Sequence, residues 1–476
     1  MKATTIRLDS ATRETPRLDA GFHLSDGVQA RRALLNSPYL NVSVESVTND
    51  VFKWTRGRRI YVSDKDLGTP FLGGATMLRA DLSGVKLISN RHTSDITGSI
   101  LRKNWILISC SGTIGKTIFS TSIHEGMSAS QHVIRVVTNE QILSGVLYAF
   151  FASKIGFALL TQGAYGSVID ELSPAYIKSL QMPIFPTAFQ RTVHEKIMNS
   201  ARLREEADAE EKIAGRKLLS YSKLRQLTSE DYNYFGPRSS KRSISTFSIK
   251  FGSMTELSIN AFNYSDRMRK TIDYVRSTCE TIPLSETLSG GGFFSTGSFP
   301  RLELDSPKSL LLINQSDIFN ARLTGKKIAR RGVKAKSLVE YGEVIIAGVG
   351  TLGESETFCR VVFANESLVG QLISGEFIRM KTTDKIPPGY LYAWLHSDYG
   401  FRMIRSTQAG TKLCRSIQKL LLQMPVPVLR RSQMDEINQV ILTSQTKRAR
   451  AAQLENEAIG MVEREIESWQ GADYDR

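Results

Sequence analysis

The sequence predicts an α+β chain built from two pseudo-repeated, strand-rich domains, each followed by a long helix suited to coiled-coil pairing. Three observations predict it: a length of 476 residues, a set of short motifs that occurs twice in the same order, and a proline-free amphipathic tract at the end of each half. That length exceeds what one hydrophobic core usually serves, and 41% hydrophobic content is enough for two packed ones.

The repeat is read directly from the residues. "ILISCSGTIGKTIFS" lays over "VIIAGVGTLGESETF" with Gly112 on Gly350 and Gly115 on Gly353, an offset of 238, which is half the chain. Gln131 with Gln371, Tyr148 with Tyr392, the "GF" at Gly156 with that at Gly400, "LQMP" at Leu180 with that at Leu422, and Gln190 with Gln433 follow at offsets of 240, 244, 244, 242 and 243. Upstream, "LDAGFHLSD" from Leu18 faces "INAFNYSD" from Ile259. A period this long marks a pair of domains and not a solenoid. Gln131 and Gln371, each ahead of an apolar strand, are expected to be structural hydrogen-bonders.

"CSGTIGKT" at residues 110–117 resembles a phosphate-binding loop and fails the pattern twice. Cys110 stands where a glycine is required, and a β-branched stretch follows where the anion-holding helix should begin. The second copy places Glu354 and Ser355 opposite Lys116 and Thr117, so only Gly-Thr-aliphatic-Gly is shared. Glycines free to take positive φ make this a tight turn between two strands, either purely structural or a loop tip presented to a ligand.

Each half closes alike. After Pro183 and Pro186 no proline occurs until Pro237, and after Pro425 and Pro427 none occurs at all. Val193, Ile197, Ala201, Ala207, Ala214, Leu218, Tyr221 and Leu224 recur at helical steps among mixed charges; Ile437, Ile441, Ala451, Leu454, Ala458, Val462, Ile466 and Trp469 do the same. A narrow apolar stripe with polar flanks is the mark of a coiled-coil seam, the alternative being two helices that cap separate domains without touching. The polar, basic "DYNYFGPRSSKRSIS" is read as the connector, giving domains at 1–186 and 233–428 and long helices at 187–232 and 429–476.

Lysine and arginine exceed acidic residues by 15, which makes a polyanion the expected partner, nucleic acid ahead of acidic lipid. The N-terminus lacks the apolar core of a secretory signal, and "GVLYAFFASKIGFALL" is broken by Ser153 and Lys154 before it reaches membrane-spanning length. The four cysteines, Cys110, Cys279, Cys359 and Cys414, stand apart from each other and from the six histidines, so neither a zinc pattern nor a disulfide framework is visible. A cytoplasmic protein without a membrane, metal or cofactor of its own is expected. "NSPY" at Asn36 has Ser37 where the Asn-Pro-Pro-Tyr loop of adenine methyltransferases has proline, and is read as a turn.

Taken together, the doubled Gly-Thr-x-Gly turn, the downstream glutamine, and the passages "SLQMPIFPTAFQRTVHEKI" from Ser179 and "LLQMPVPVLRRSQMDEINQVI" from Leu421 resemble the DNA-specificity subunits of type I restriction-modification systems. The resemblance spans nearly the whole chain. It implies two target-recognition domains, each reading one half of a split double-stranded DNA site, separated by two long antiparallel coiled-coil helices. It implies a non-catalytic chain for phage defence, with catalysis in partners: two adenine methyltransferase subunits that carry S-adenosylmethionine, and in some systems a translocating restriction subunit. An enzyme with fused methyltransferase or nuclease activity, and a scaffold that only organises other proteins, are the competing readings.

The expected DNA contacts follow charge density. "NARLTGKKIARRGVKAKS", residues 320–337, carries Arg322, Lys326, Lys327, Arg330, Arg331, Lys334 and Lys336 with no acid; the competing reading is a solvated strand edge. In the first half Arg56, Arg58, Arg59, Arg102 and Lys103 are the looser counterpart, with Arg91 and His92 between them, and Lys116 could add a phosphate contact. Gln162 and Gln408, on polar glycine loops, are candidate readers of an adenine edge.

Overall fold

The computed structural model describes residues 25–55, 57–62, 64, 66–162, 171–228, 231 and 248–469. The connector beyond Asp231 and the segment from Leu18 to Leu24 lie outside these residues. The chain divides into two compact units, one comprising residues up to Glu205 with those from Arg450 onward, the other Glu206–Ala449.

In the first unit the elements run α1 (Asp26–Leu35), β1 (Asn41–Ser43), β2 (Thr48–Lys53), β3 (Tyr61–Val62), β4 (Gly68–Leu72), β5 (Leu87–Ser89), β6 (Ile106–Ser109), β7 (Thr117–Phe119), β8 (Ser128–Ala129), β9 (Val133–Thr138), α2 (Ser144–Ala152), α3 (Lys154–Gln162), α4 (Pro174–Ser179) and β10 (Gln181–Pro183), then the long helix α5 (Thr187–Ser222). The larger sheet has the order β2-β9-β6-β7 and a smaller one β3-β5-β4-β8. The apolar "ILIS" of β6 is buried throughout, as befits a strand covered on both faces. Ile106 and Ile108 join β9, α2 and α3 in one core with Val193 and Ile197 of α5, while Leu107 faces a second cluster with Leu72, Met77 and Leu101.

The second unit repeats this plan: α6 (Asp266–Thr278), β11 (Thr281–Pro283), α7 (Leu284–Thr287), β12 (Leu310–Ile313), β13 (Lys326–Ile328), β14 (Val344–Ala347), β15 (Val349–Gly350), β16 (Val361–Phe363), β17 (Leu372–Ile373), β18 (Phe377–Met380), α8 (Pro388–His396), α9 (Asp398–Ser406), β19 (Gln408–Ala409), β20 (Cys414–Ser416), α10 (Gln418–Leu422), β21 (Pro425–Pro427) and the long helix α11 (Arg431–Ser468). Its sheets β16-β14-β18 and β13-β12-β17 match β7-β6-β9 and β5-β4-β8, including the parallel pairs β4 with β8 and β12 with β17. The α+β class and the pseudo-repeat are therefore present as expected.

Strand register corrects the sequence alignment at three points. Ile106 faces Phe119 as Val344 faces Phe363, so Thr117 corresponds to Val361, and Glu354 and Ser355 belong to a longer loop with no counterpart in the first unit. The Gly-Thr turn is tight only in the first copy, where Gly112 (φ +75°) and Gly115 (φ +80°) take the left-handed region and Gly115 N–H donates to Ser109 O at 2.9 Å. Gln131 and Gln371 are not equivalent, because β8 and β17 align Ser128 with Leu372. The two "LQMP" strings are likewise offset by two residues: Gln181–Pro183 forms β10, whereas Pro425–Pro427 forms β21.

The repeated "GF" has a steric cause. A Cβ on Gly156 would lie 2.0 Å from Phe150 O, and one on Gly400 2.3 Å from Trp394 O, where the helix pairs α2–α3 and α8–α9 turn their corners. At the first corner the two helices bend by 74°, and among the described residues no single helix is long and apolar enough to cross a membrane.

The first long helix stops at Ser222, short of the expected 232; the second spans Arg431–Ser468 of the expected 429–476, of which 470–476 lie outside the described residues. Antiparallel packing is visible in each unit separately. In the first, Lys196 pairs with Glu457 at 2.6 Å and Ser200 Oγ donates to Ala451 O at 2.8 Å. In the second, Ser444 Oγ donates to Ala207 O at 2.9 Å and Lys217 pairs with Glu436 at 2.7 Å. Of the expected stripe residues, Val193, Ile197, Ala207, Ala214 and Leu218, and Ile437, Ile441, Ala451, Ala458, Val462 and Ile466, are all buried.

His124, 8% exposed, sits in the first unit with Nδ1 accepting from Thr121 N at 3.1 Å. Burial, and then the Arg204 guanidinium nearby, hold its pKa down to about 4. The folded state thus resists a proton that the unfolded chain accepts near 6.5. Its stability contribution is complete above that value and is lost as pH falls toward 4, by up to about 3 kcal/mol. The urea midpoint should drop between pH 7 and pH 5, and His124→Asn, which keeps an acceptor for Thr121, should show a shallower drop. Equal slopes would contradict this.

Candidate nucleic-acid interface

The small sheets bring basic side chains together. In the second unit Lys326 and Lys327 lie on β13, paired with Glu303 at 2.5 Å and Asp305 at 2.6 Å, so both charges are offset locally. The segment bearing those acids runs beside β13, with Glu303 bridged to Ile328. The chain then turns through Arg330, Arg331, Lys334 and Lys336, all exposed. Among the described residues no carboxylate lies within ion-pair reach of these four. Arg322 is half-buried ahead of β13.

In the first unit, register identifies the equivalent hairpin. Phe71 corresponds to Leu312 through the parallel pairs, and Phe71 N–H donates to Lys86 O where Leu312 faces Lys326. Lys86 therefore matches Lys326, and Arg91 matches Arg331; both first-unit residues are exposed. Lys86 Nζ lies 5.6 Å from the Tyr61 ring centroid and the Arg59 guanidinium 5.3 Å from that of Phe71, so cations and aromatic faces alternate across this sheet. Arg58 is exposed beside it, its carbonyl accepting from Ser94 N at 3.4 Å.

The remaining sequence candidates fall elsewhere. Arg56 lies outside the described residues. Arg102 and Lys103 are exposed on the turn before β6, which belongs to the larger sheet. Lys116 is half-buried with Nζ 5.2 Å from the Phe157 ring centroid. Gln162 ends α3 and packs on Gly27, with Oε1 buried and unpaired. Gln408 is 5% exposed at the start of β19, so its side chain is not on the surface of its unit, contrary to the loop placement expected. Lys86 was missed by sequence reasoning, because it sits alone in "GVKLIS" and only the strand register pairs it with Lys326.

The Glu354 carboxylate, on the longer loop of the second unit, is held by Arg402 (3.3 Å) and Arg405 (2.6 Å), both nearly buried. Burial works to raise its pKa, but the two guanidiniums prevail and hold it below the ordinary carboxylate value. This loop is thus fixed through charge on helix α9.

No family model and no curated relative matches the chain. Three solved structures resemble it over 90% of its length. They are a type I restriction-modification system S subunit from M. genitalium (13% identity, 96% of that chain, TM-score 0.34), an HsdS subunit from Thermoanaerobacter tengcongensis (13%, 96%, 0.27), and a chain from a structure of the type I R-M system (14%, 98%, 0.27). At 13 to 14% identity and these TM-scores, the likeness by itself decides nothing about the function of this chain.

Proposed function

We propose that the chain is a non-catalytic, sequence-specific DNA-binding subunit, whose two repeated units each engage one part of a bipartite double-stranded site. The observation that carries the reading is the recurrence of an exposed cation at the same place after the same hairpin, Arg91 in one unit and Arg331 in the other. Exposed lysines and arginines on a duplicated edge suit phosphate contact, and arginine can also take guanine O6 and N7. The resemblance to restriction-modification specificity subunits extends the proposal to partners. Adenine methyltransferase subunits, one per unit, would supply S-adenosylmethionine chemistry, and a restriction subunit would join in some assemblies.

Binding of a duplex carrying the modified site, measured with the purified chain and its methyltransferase partner across a salt series, tests this. Replacing Arg330 and Arg331 together by Ala should weaken binding and make the log-log salt slope shallower by about 1.8, at about 0.9 for each phosphate no longer neutralised. The same pair of changes at Lys86 and Arg91 should act in the same direction. Unchanged affinity and slope would reject the interface, and methyl transfer or cleavage by the isolated chain with Mg²⁺ and S-adenosylmethionine would reject the non-catalytic reading.

A further inference from the structure

The first unit gathers three metal-ligating side chains that the sequence spreads over 61 residues. Cys110 lies just after β6, His132 just before β9, and Glu171 just before α4, and one donor atom from each falls within 4.8 Å of the other two. Cys110 Sγ is 3.8 Å from Glu171 Oε1. We propose that Cys110, His132 and Glu171 form a binding site for a zinc-class divalent cation, with the fourth position open to water on the exposed carboxylate side.

Donor chemistry and spacing both favour such an ion. One thiolate, one imidazole and one carboxylate is a set that zinc accepts, with bond lengths of about 2.0 to 2.3 Å, so the donors of a closed tetrahedron stand roughly 3.3 to 3.8 Å apart. From spacings within 4.8 Å this needs a contraction of about 1.5 Å at most. The two ring nitrogens of His132 differ: Nε2 is 3.0 Å from the Gln131 side-chain amide, while Nδ1 is buried without a partner. Gln131 Oε1 is also buried and unpartnered. Turning that amide over would let Oε1 accept from Nε2–H, leaving Nδ1 with a lone pair for a metal, the arrangement that metal-bound histidines usually have.

The backbone here does not depend on these side chains. Cys110 N–H donates to His132 O (2.9 Å) and Leu172 N–H to Cys110 O (3.0 Å); in the second unit Gly348 N–H donates to Glu376 O (3.1 Å) and Ser416 N–H to Gly348 O (3.4 Å). The same scaffold thus presents Gly348, Glu376 and Arg415 where the first unit presents its cysteine, histidine and glutamate. The trio is a property of one copy and goes beyond what the fold requires. Without a cation, burial and the adjacent Glu171 push the Cys110 thiol up to about 11, so it stays protonated; a coordinating cation displaces that proton. Lys53, 2.7 Å from Glu171 and about one-third exposed, can swing toward water as the ion takes over its role. The site would pin the chain at Glu171 to the turn after β6.

Cobalt(II) is the probe. Chelator-treated full-length protein titrated with Co²⁺ should bind one ion per chain, with tetrahedral ligand-field bands and a thiolate-to-cobalt charge-transfer band that Zn²⁺ abolishes. Cys110→Ser should remove the charge-transfer band, Cys279→Ser should leave it intact, and His132→Gln and Glu171→Gln should each weaken Co²⁺ binding by at least about ten-fold. Circular dichroism checks that each variant is folded, and Glu171→Gln, on an exposed side chain, keeps the test valid if Cys110→Ser does not fold. Absence of the band in the unsubstituted protein, its retention in folded Cys110→Ser, or unchanged affinity in Glu171→Gln would overturn the proposal.

Discussion

Glu343→Ala should lower the stability of the second unit by about 3 to 5 kcal/mol, the cost of leaving a buried charge uncompensated. Glu343 and Arg379 are both 0% exposed, joined by two hydrogen bonds of 2.8 Å from Nε and Nη2. The other guanidinium donors reach Ser337 O (3.1 Å) and Leu338 O (2.7 Å), and the Phe294 ring centroid lies 4.7 Å from the guanidinium. Removing the carboxylate leaves the arginine surrounded by strand and ring, with carbonyl dipoles alone to balance it. Hydrogen exchange of the β18 amides reads the loss within the unit concerned, which matters because a two-unit chain need not unfold in one step. Glu343→Ala with Arg379→Met should recover most of the deficit, since an apolar replacement of both partners removes the stranded charge. A loss below about 1 kcal/mol for Glu343→Ala would show that the pair is not balancing charge as described.

The first unit holds Arg135 at the place of Arg379, equally buried, with Trp105 where Glu343 stands. There the guanidinium is satisfied by the carbonyls of Ser99, Ala129, Ser130 and Val133, while Nε has no partner. Burial holds its pKa down to about 10. The two copies thus keep the cation and differ in how they neutralise it. Nothing in the sequence shows this, because Arg135 in "VIRVVT" and Arg379 in "FIRM" read as the polar member of an alternating strand.

What was legible follows from which interactions are local. Helix stripes such as Val193, Ile197 and Ala201 show because the contact period equals the sequence period. The repeat shows because motifs at helix corners, such as Gly156 and Gly400, tolerate no side chain. The register was misread where a loop changed length: the segment between β14 and β16 is six residues longer than that between β6 and β7, which moves the offset from 238 to 244 in one step. Spread over gradual drift, that step misassigned Glu354, Gln371 and the second "LQMP". Cys110 and His132 looked isolated because they stand 22 positions apart in the chain and are united only by the pairing of β6 with β9. The basic run at 326–336 was visible as composition, but the offset of Lys326 and Lys327 by Glu303 and Asp305 required the strand pairing.

Glu455→Ala should cost the first unit about 3 kcal/mol, and Glu211→Ala should cost the second less, about 1 to 2 kcal/mol. The two glutamates hold the same place in the repeat. Glu455 accepts from Tyr148 Oη and from the Arg204 guanidinium; Glu211 accepts from Tyr392 Oη at 3.4 Å and from Arg448 at 2.8 and 3.1 Å. Each triad ties an α2- or α8-type helix to the long-helix pair of its own unit. The glutamate side chain is 4% exposed in the first unit and 11% in the second, so less water reaches the space that the lost carboxylate leaves in the first unit, while the two arginines are exposed alike at 17% and 14%. Glu211 also accepts from Gln445 Nε2 at 2.8 Å, but Gln445 can turn its amide to other partners, whereas Tyr148, 1% exposed, has no water to turn to. Glu455→Gln separates the two contributions, because it keeps a hydrogen-bond acceptor for Tyr148 and removes the charge. If exchange of the 451–458 amides speeds up as much in Glu455→Gln as in Glu455→Ala, charge compensation dominates; if Glu455→Gln stays near the unsubstituted protein, the tyrosine contact does. Equal losses in Glu455→Ala and Glu211→Ala would contradict the ranking by burial.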